Sequence, residues 1–166
     1  MPTAAEGVFS LFLDNVETML ANSAEFRTWT GTASVAAAKL RIDWIDRDAG
    51  YTRPHALLTL VEWNQTKIAG GADASYSAED VLVGIRFEGA VPTGDDEEDE
   101  ARIFLNNVGN ILEDLRTLSA TGTYPVVRAF QMLENLQHSP RGERTSGGAA
   151  ENYFSFTVGL VISAKG

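Results

Sequence analysis

The chain has 166 residues, 44% of them hydrophobic and 22% charged, which suits a single domain with a real core and argues against global disorder. Its formal net charge of −10 excludes nucleic-acid binding by non-specific charge neutralisation and disfavours anionic membranes. With no cysteine, disulfides, thiol nucleophiles and cysteine-built zinc sites are excluded as well.

The first element expected is an amphipathic helix from Thr3 to about Ala21, with Val8, Leu11, Phe12, Val16, Met19 and Leu20 at helical spacing. Its start lacks the basic and uninterrupted apolar regions of a signal peptide, and no segment has the run of apolar residues that a membrane span needs, so a soluble intracellular protein is expected. Phe26 and Trp29 follow in a short segment ended by Gly31. Thr32 or Ser34 then suits the cap of an alanine-rich helix running through Ala38 into Leu40. Leu40, Ile42 and Trp44 alternate with Arg41 and Asp43, which predicts an extended stretch before a loop from Asp46 to Thr52.

Ala56 to Trp63 is an apolar run of the kind covered on both faces, and Asn64 to Ala78 has the composition of a hairpin loop. Val81, Val83, Ile85, Phe87 and Val91 alternate with Leu82, Gly84, Arg86 and Glu88 as a second strand, antiparallel to the first. Pro92-Thr93-Gly94 ends it. A long helix follows from about Asp96 to Leu118, with Ile103, Phe104, Val108, Ile111, Leu112 and Leu115 as its apolar face. The acids Asp95, Asp96, Glu97, Glu98, Asp99 and Glu100 open this helix, and without them the chain holds 17 acids against 13 bases. Acids in a first turn also complement the helix dipole, at about 0.3 to 1 kcal/mol each.

The last hairpin begins with the apolar run Tyr124 to Leu133 and crosses a polar, glycine-bearing tip from Glu134 to Asn152. It returns through Tyr153 to Ser163, where Phe154, Phe156, Val158, Leu160 and Ile162 share one face. Tyr153, Ser155, Thr157, Gly159 and Ser163 share the other, with Val161 as an apolar intruder. The expected fold is therefore α+β: one mostly antiparallel sheet of about four strands in the order α-ββ-α-ββ. An N-terminal helix, a short Ala-rich helix and a long middle helix pack on it, within one domain over residues 1–166.

Motifs for chemistry are sparse. The two histidines, His55 and His138, lack metal-ligand spacing, and no nucleophile elbow, Walker A or dinucleotide glycine pattern occurs. Asp46 to Gly50 begins like a calcium loop, but its glycine comes one position early and Leu57 stands where the closing glutamate belongs. The acids at 95–100 point around a helix axis and cannot converge on one ion, so a solvated helix start competes with a lumen or subunit contact. In the tip, Glu134, His138, Arg141, Glu143, Arg144 and Glu151 are candidates for a subunit or partner interface, against a plain connecting loop. No catalytic, cofactor or metal residue is assigned.

The layout resembles the tail terminator (tail completion or neck, head-tail joining) proteins of long-tailed bacteriophages. The similarity is carried by the N-terminal helix leading into Phe26-Arg27-Thr28-Trp29, by Ala33 to Ile42, by Arg53 to Leu58, by the middle helix from Ala101 to Leu115, and by the polar loop with its terminal strand. The resemblance implies a non-enzymatic ring, commonly of six subunits, in the virion neck. Such a ring caps the tail tube, ends its polymerisation and meets the head connector or stopper protein, without cofactor, membrane or specific nucleic-acid binding. It implies assembly in the host cytoplasm. Two other readings stay open: a small α+β enzyme or ligand-binding domain with a pocket between helices and sheet, to which His55, Arg53 and Asp43 are the residues to test, and an adaptor that recognises peptides by strand addition.

Overall fold

Two serine caps set the N-terminal helical layer. Helix α1 spans Val8–Asn22, and Ser23 then adopts an extended backbone and accepts a hydrogen bond from Phe26 N, opening α2 over Ala24–Thr30. Gly31, in the left-handed region at φ 67°, ends α2. Ser34 caps α3, Val35–Lys39, by accepting from Ala37 N. The computed structural model describes residues 8–46, 51–67, 76–90, 97–139, 145–146, 149–150 and 153–164.

Five strands form one mixed sheet in the order β1-β2-β3-β7-β4. Strand β1 (Ile42–Asp43) is parallel to the start of β2 (His55–Lys67), and β2 pairs antiparallel with β3 (Tyr76–Ala90). Helix α4 (Glu97–Ser119) separates β3 from β4 (Val126–Ser139). Beyond β4, the two-residue strands β5 (Thr145–Ser146) and β6 (Ala149–Ala150) pair with each other, and β7 (Tyr153–Ala164) then enters between β3 and β4. The expected four strands thus gain β1 as a fifth, and the terminal strand is interior to the sheet.

All four helices lie against one face. Val83, Ile85, Phe87, Val158, Leu160 and Ile162 from the sheet meet Val16, Met19 and Leu20 of α1 and Phe104, Val108, Ile111 and Leu115 of α4 in one buried cluster. At about 1.5 to 3 kcal/mol per buried large side chain, this contact supplies most of the drive to fold. Ile103, expected on the apolar face of α4, is instead 52% exposed, because it lies about 100° around the axis from Phe104.

Both hairpins run further as strand than their composition suggests. Strand β2 reaches Lys67 and β3 begins at Tyr76, so the Asn64–Ala78 loop is shorter than expected. Strand β4 continues to Ser139, which places Glu134 and His138 in a strand and not in a tip. Backbone pairing to a long neighbour holds these polar residues extended whatever their propensity.

Candidate functional site

On the face of the sheet turned away from the helices, a charged cluster has formed around Glu88. Its neighbours in the ladder place it there: Glu88 lies opposite His55 on β2 and Ser155 on β7. The side chains of Glu88, His55 and Arg53 are only 1%, 1% and 6% exposed. His55 Nε2 lies 2.7 Å from Glu88 Oε2, Arg53 Nη2 lies 3.4 Å from the same oxygen, and Arg86 Nη2 is 3.2 Å from Oε1. Since an ionised carboxylate only accepts, His55 Nε2 is the donor. Burial alone would push the Glu88 carboxyl up. The hydrogen bond from His55 and the charges of His55, Arg86 and Arg53 outweigh burial and hold it below its ordinary value.

The cluster reaches outward through the segment that follows β1. Arg86 extends both Nη atoms to the Asp46 carboxylate at 3.3 and 3.5 Å. Asp43 Oδ2 stands 4.0 Å from His55 Nδ1. Tyr51 stacks on the His55 ring at 4.1 Å and donates its hydroxyl to Ile45 O and Asp46 Oδ1. Arg53 lies over the Tyr153 ring at 3.9 Å, a cation–π contact that explains why Tyr153, expected on the polar face, is buried. Closed in this way, the cluster fastens the end of β1 and the lead-in to β2 onto the sheet. Among the described residues, the Glu88 carboxylate is almost wholly covered.

An open cleft lies elsewhere. A cavity of about 430 Å³ between α1 and the far end of the sheet is lined by Leu11, Phe12, Asn15, Thr18, Thr123, Tyr124, Pro125, Ile162 and Ser163. None of the charged groups around Glu88 lines it, and among the described residues no group of three or more His, Asp or Glu could hold a metal ion.

The other unfinished surfaces are the two sheet edges. Strand β1 covers β2 only at Ala56 and Leu57, so from Thr59 onward β2 has no outer partner among the described residues. The long strand β4 has none on its outer side either. On the uncovered face, Gly84 and Gly159 sit opposite each other. Leu82 and Leu133 lie over this hollow: a Cβ built on Gly159 would come within 2.6 Å of Leu82 Cδ1 and 3.3 Å of Leu133 Cδ1. Val161, the intruder on the polar face of β7, stands beside Leu82 in this small apolar strip.

The two groups of residues singled out from the sequence meet at one point. Glu97, in the first turn of α4, has Oε2 3.7 Å from His138 Nδ1 near the end of β4, and the His138 ring packs on Phe154 at 5.0 Å. Glu134 accepts a hydrogen bond from Thr157 Oγ1 at 3.0 Å across the β4–β7 pair. Glu98 and Asp99 share Arg102, at 2.7 and 3.6 Å, on the exposed helix surface, and Glu100 is half-buried. Asp95, Asp96, Arg141, Glu143, Arg144 and Glu151 lie outside the described residues. Arg53, His55 and Asp43 are brought together, but on the outer face and not in a pocket between helices and sheet. Glu88 and Arg86 escaped notice because alternation assigns them to a solvated face; two charged residues among valines and isoleucines of a central strand were the available signal.

Comparison of the sequence with protein-family models and with curated proteins finds no match for this chain. No helix among the described residues is long and apolar enough to cross a membrane.

Proposed function

We propose that the chain is the subunit of a homo-oligomeric ring in a phage neck, one that caps the tail tube, ends its polymerisation and joins the tail to the head connector. The observation that carries this reading is the pair of open edges. A sheet whose outer strands, among the described residues, run unpaired along β4 and along β2 from Thr59 onward invites further pairing, and a protein that does not aggregate must cover or blunt such edges. A head-to-tail contact around a closed ring occupies both at once. The acidic balance fits a conduit for DNA, since like charge suppresses sticking.

The enzyme reading asks for a cavity with converging polar groups. The cleft at Leu11 and Tyr124 and the charges at Glu88 occupy opposite sides of the sheet and do not form one site. The partners of the ring subunit are then further copies of itself, the tail-tube protein and the connector or stopper protein, in the virion. The test is deletion of the gene from the phage that carries it. The expected result is particles with tails of uncontrolled length, or finished tails not joined to heads. Normal infectious virions end the proposal.

A further inference from the structure

The two open edges match each other in direction and in level. Each has one register shift at the same level, while β4 has further shifts between Met132 and Gln137 and β2 one between Thr66 and Lys67. Three antiparallel steps, β2 to β3, β3 to β7 and β7 to β4, make β4 run opposite to β2. Copies related by rotation about an axis along the strands therefore present β4 of one antiparallel to β2 of the next, the same sense as the pairs within the sheet. The registers also fix which residues share a level. Leu60, Val83, Leu160 and Phe130 form one row on the helix side, and Trp63, Val81, Ile162 and Val127 form another.

Between those rows each edge strand carries a bulge. The β2 register shifts between Leu60 and Glu62, and the β4 register shifts between Val127 and Ala129. Bulges normally protect an edge by throwing a partner out of phase. Here both edges bulge at one level, so the phase is restored when they meet. Two half-buried core residues then face each other, Phe130 against Leu60, while Val127 faces Trp63, which is 36% exposed. Arg128 and Glu62, each already engaged within its own protomer, come together with opposite charge.

The exposed apolar residues flanking these rows find partners as well. Met132 is 63% exposed and shares a level with Leu58 through Val158 and Ile85. Immediately beside that level the chain leaves β1 with Trp44 and Ile45, which are 38% and 73% exposed.

We propose that the ring closes by edge-to-edge sheet continuation: β4 of one copy pairs antiparallel with β2 of its neighbour, with Phe130 opposite Leu60 and Gln131 opposite Thr59. This pairing rests on the ring reading given above. Because the chain has no cysteine, it is tested by oxidising the double variant Gln131→Cys/Thr59→Cys. Within one protomer these positions are three strand spacings apart, about 14 Å, too far for a disulfide, which needs Cβ atoms about 3.5 to 4.5 Å apart. The offset pair Val126→Cys/Thr59→Cys and the two single variants serve as controls. The expected result is a reducible ladder of dimers and larger species from the matched pair alone. If the protein forms rings but the matched pair gives no ladder, or no more than the offset pair, the strand pairing is overturned while the ring reading stands. Absence of both ladder and oligomer at high concentration overturns the pairing; normal virions on gene deletion remove the ring reading with it.

Discussion

Replacing Glu88 by alanine tests the role given to the charged cluster. In the native protein its two oxygens receive His55 at 2.7 Å, Arg86 at 3.2 Å and Arg53 at 3.4 Å, with Glu88 and Arg53 almost wholly out of water. Two charge-assisted hydrogen bonds, from His55 and Arg53, at about 1.5 to 3 kcal/mol each, with the Arg86 ion pair beside them, would suggest a large gain, but the desolvation of Glu88 and Arg53 offsets much of it. Truncation removes the contacts and leaves that desolvation, so the expected loss is about 3 to 5 kcal/mol, the cost of stranding a buried charge. For a chain of this size that corresponds to a fall in Tm of roughly 6 to 20 °C. Urea unfolding followed by circular dichroism measures it, with an unchanged m-value showing that the native and denatured states keep their compactness. A loss below about 1 kcal/mol, the range of a surface pair, refutes the idea that the cluster fastens the end of β1 and the lead-in to β2. An all-apolar replacement of Arg53, His55 and Glu88 is expected to be far milder than Glu88→Ala, since a buried ion network contributes little relative to well-packed hydrophobes.

Three further outcomes follow from the geometry. The Glu88 carboxyl sits below its ordinary value in the folded protein, so its contribution is fully present above the unfolded-state pKa, near 4.5, and is lost as pH falls through the lower folded value. Acid titration of stability in the wild type, set against Glu88→Gln, is expected to show the steeper fall in the wild type. Gly89→Ala places a Cβ 2.7 Å from Cδ2 of Phe104, whose ring is held between Trp29 and Phe154; a loss of about 1 to 3 kcal/mol is expected, partly restored in Gly89→Ala/Phe104→Leu. Ser23→Ala removes both the cap of α2 and the 2.6 Å hydrogen bond to Asp114 Oδ2 that ties α2 to α4, and thermal unfolding is expected to report a loss of about 1 to 2 kcal/mol.

What the sequence makes legible here is whatever depends on local periodicity. The alternation from Phe154 to Ile162 identifies the buried face of β7, Ser34 marks a helix start, and the stripe Phe104, Val108, Ile111 and Leu115 marks the core side of α4. What depends on a distant partner is not legible. The polar ends of β2 and β4 are extended because β3 and β7 bond to them. Strand β1 has two residues and exists only through its contact with Ala56 and Leu57. The Glu88 cluster is the sharpest case: Arg86 and Glu88 alternate out of the core as a solvated pair would, and only the arrival of His55, Arg53 and Asp46 from other segments buries the carboxylate. Of the residues proposed for a partner surface, Glu97 and His138 are joined by a contact that no spacing along the chain announces.

These features together explain why the edges, and not the cleft or the charged cluster, carry the functional reading. In the cluster each cation reaches a carboxylate and the His55 ring is stacked on Tyr51, so a partner binding there would have to break contacts worth several kcal/mol before making its own. The cleft beside α1 is closed off from those charges, and its lining has no ion pair with which to orient a substrate. The edges differ in kind. Among the described residues, β4 and β2 from Thr59 onward meet no intramolecular strand on their outward side, and Phe130, Val127 and Leu60 remain half-buried against a core that stops at the rim. Joining rim to rim gives those backbone groups partners and extends that core. A single pairing of this length is weak, but in a closed ring each subunit is held at both edges, and separating one requires breaking two pairings together.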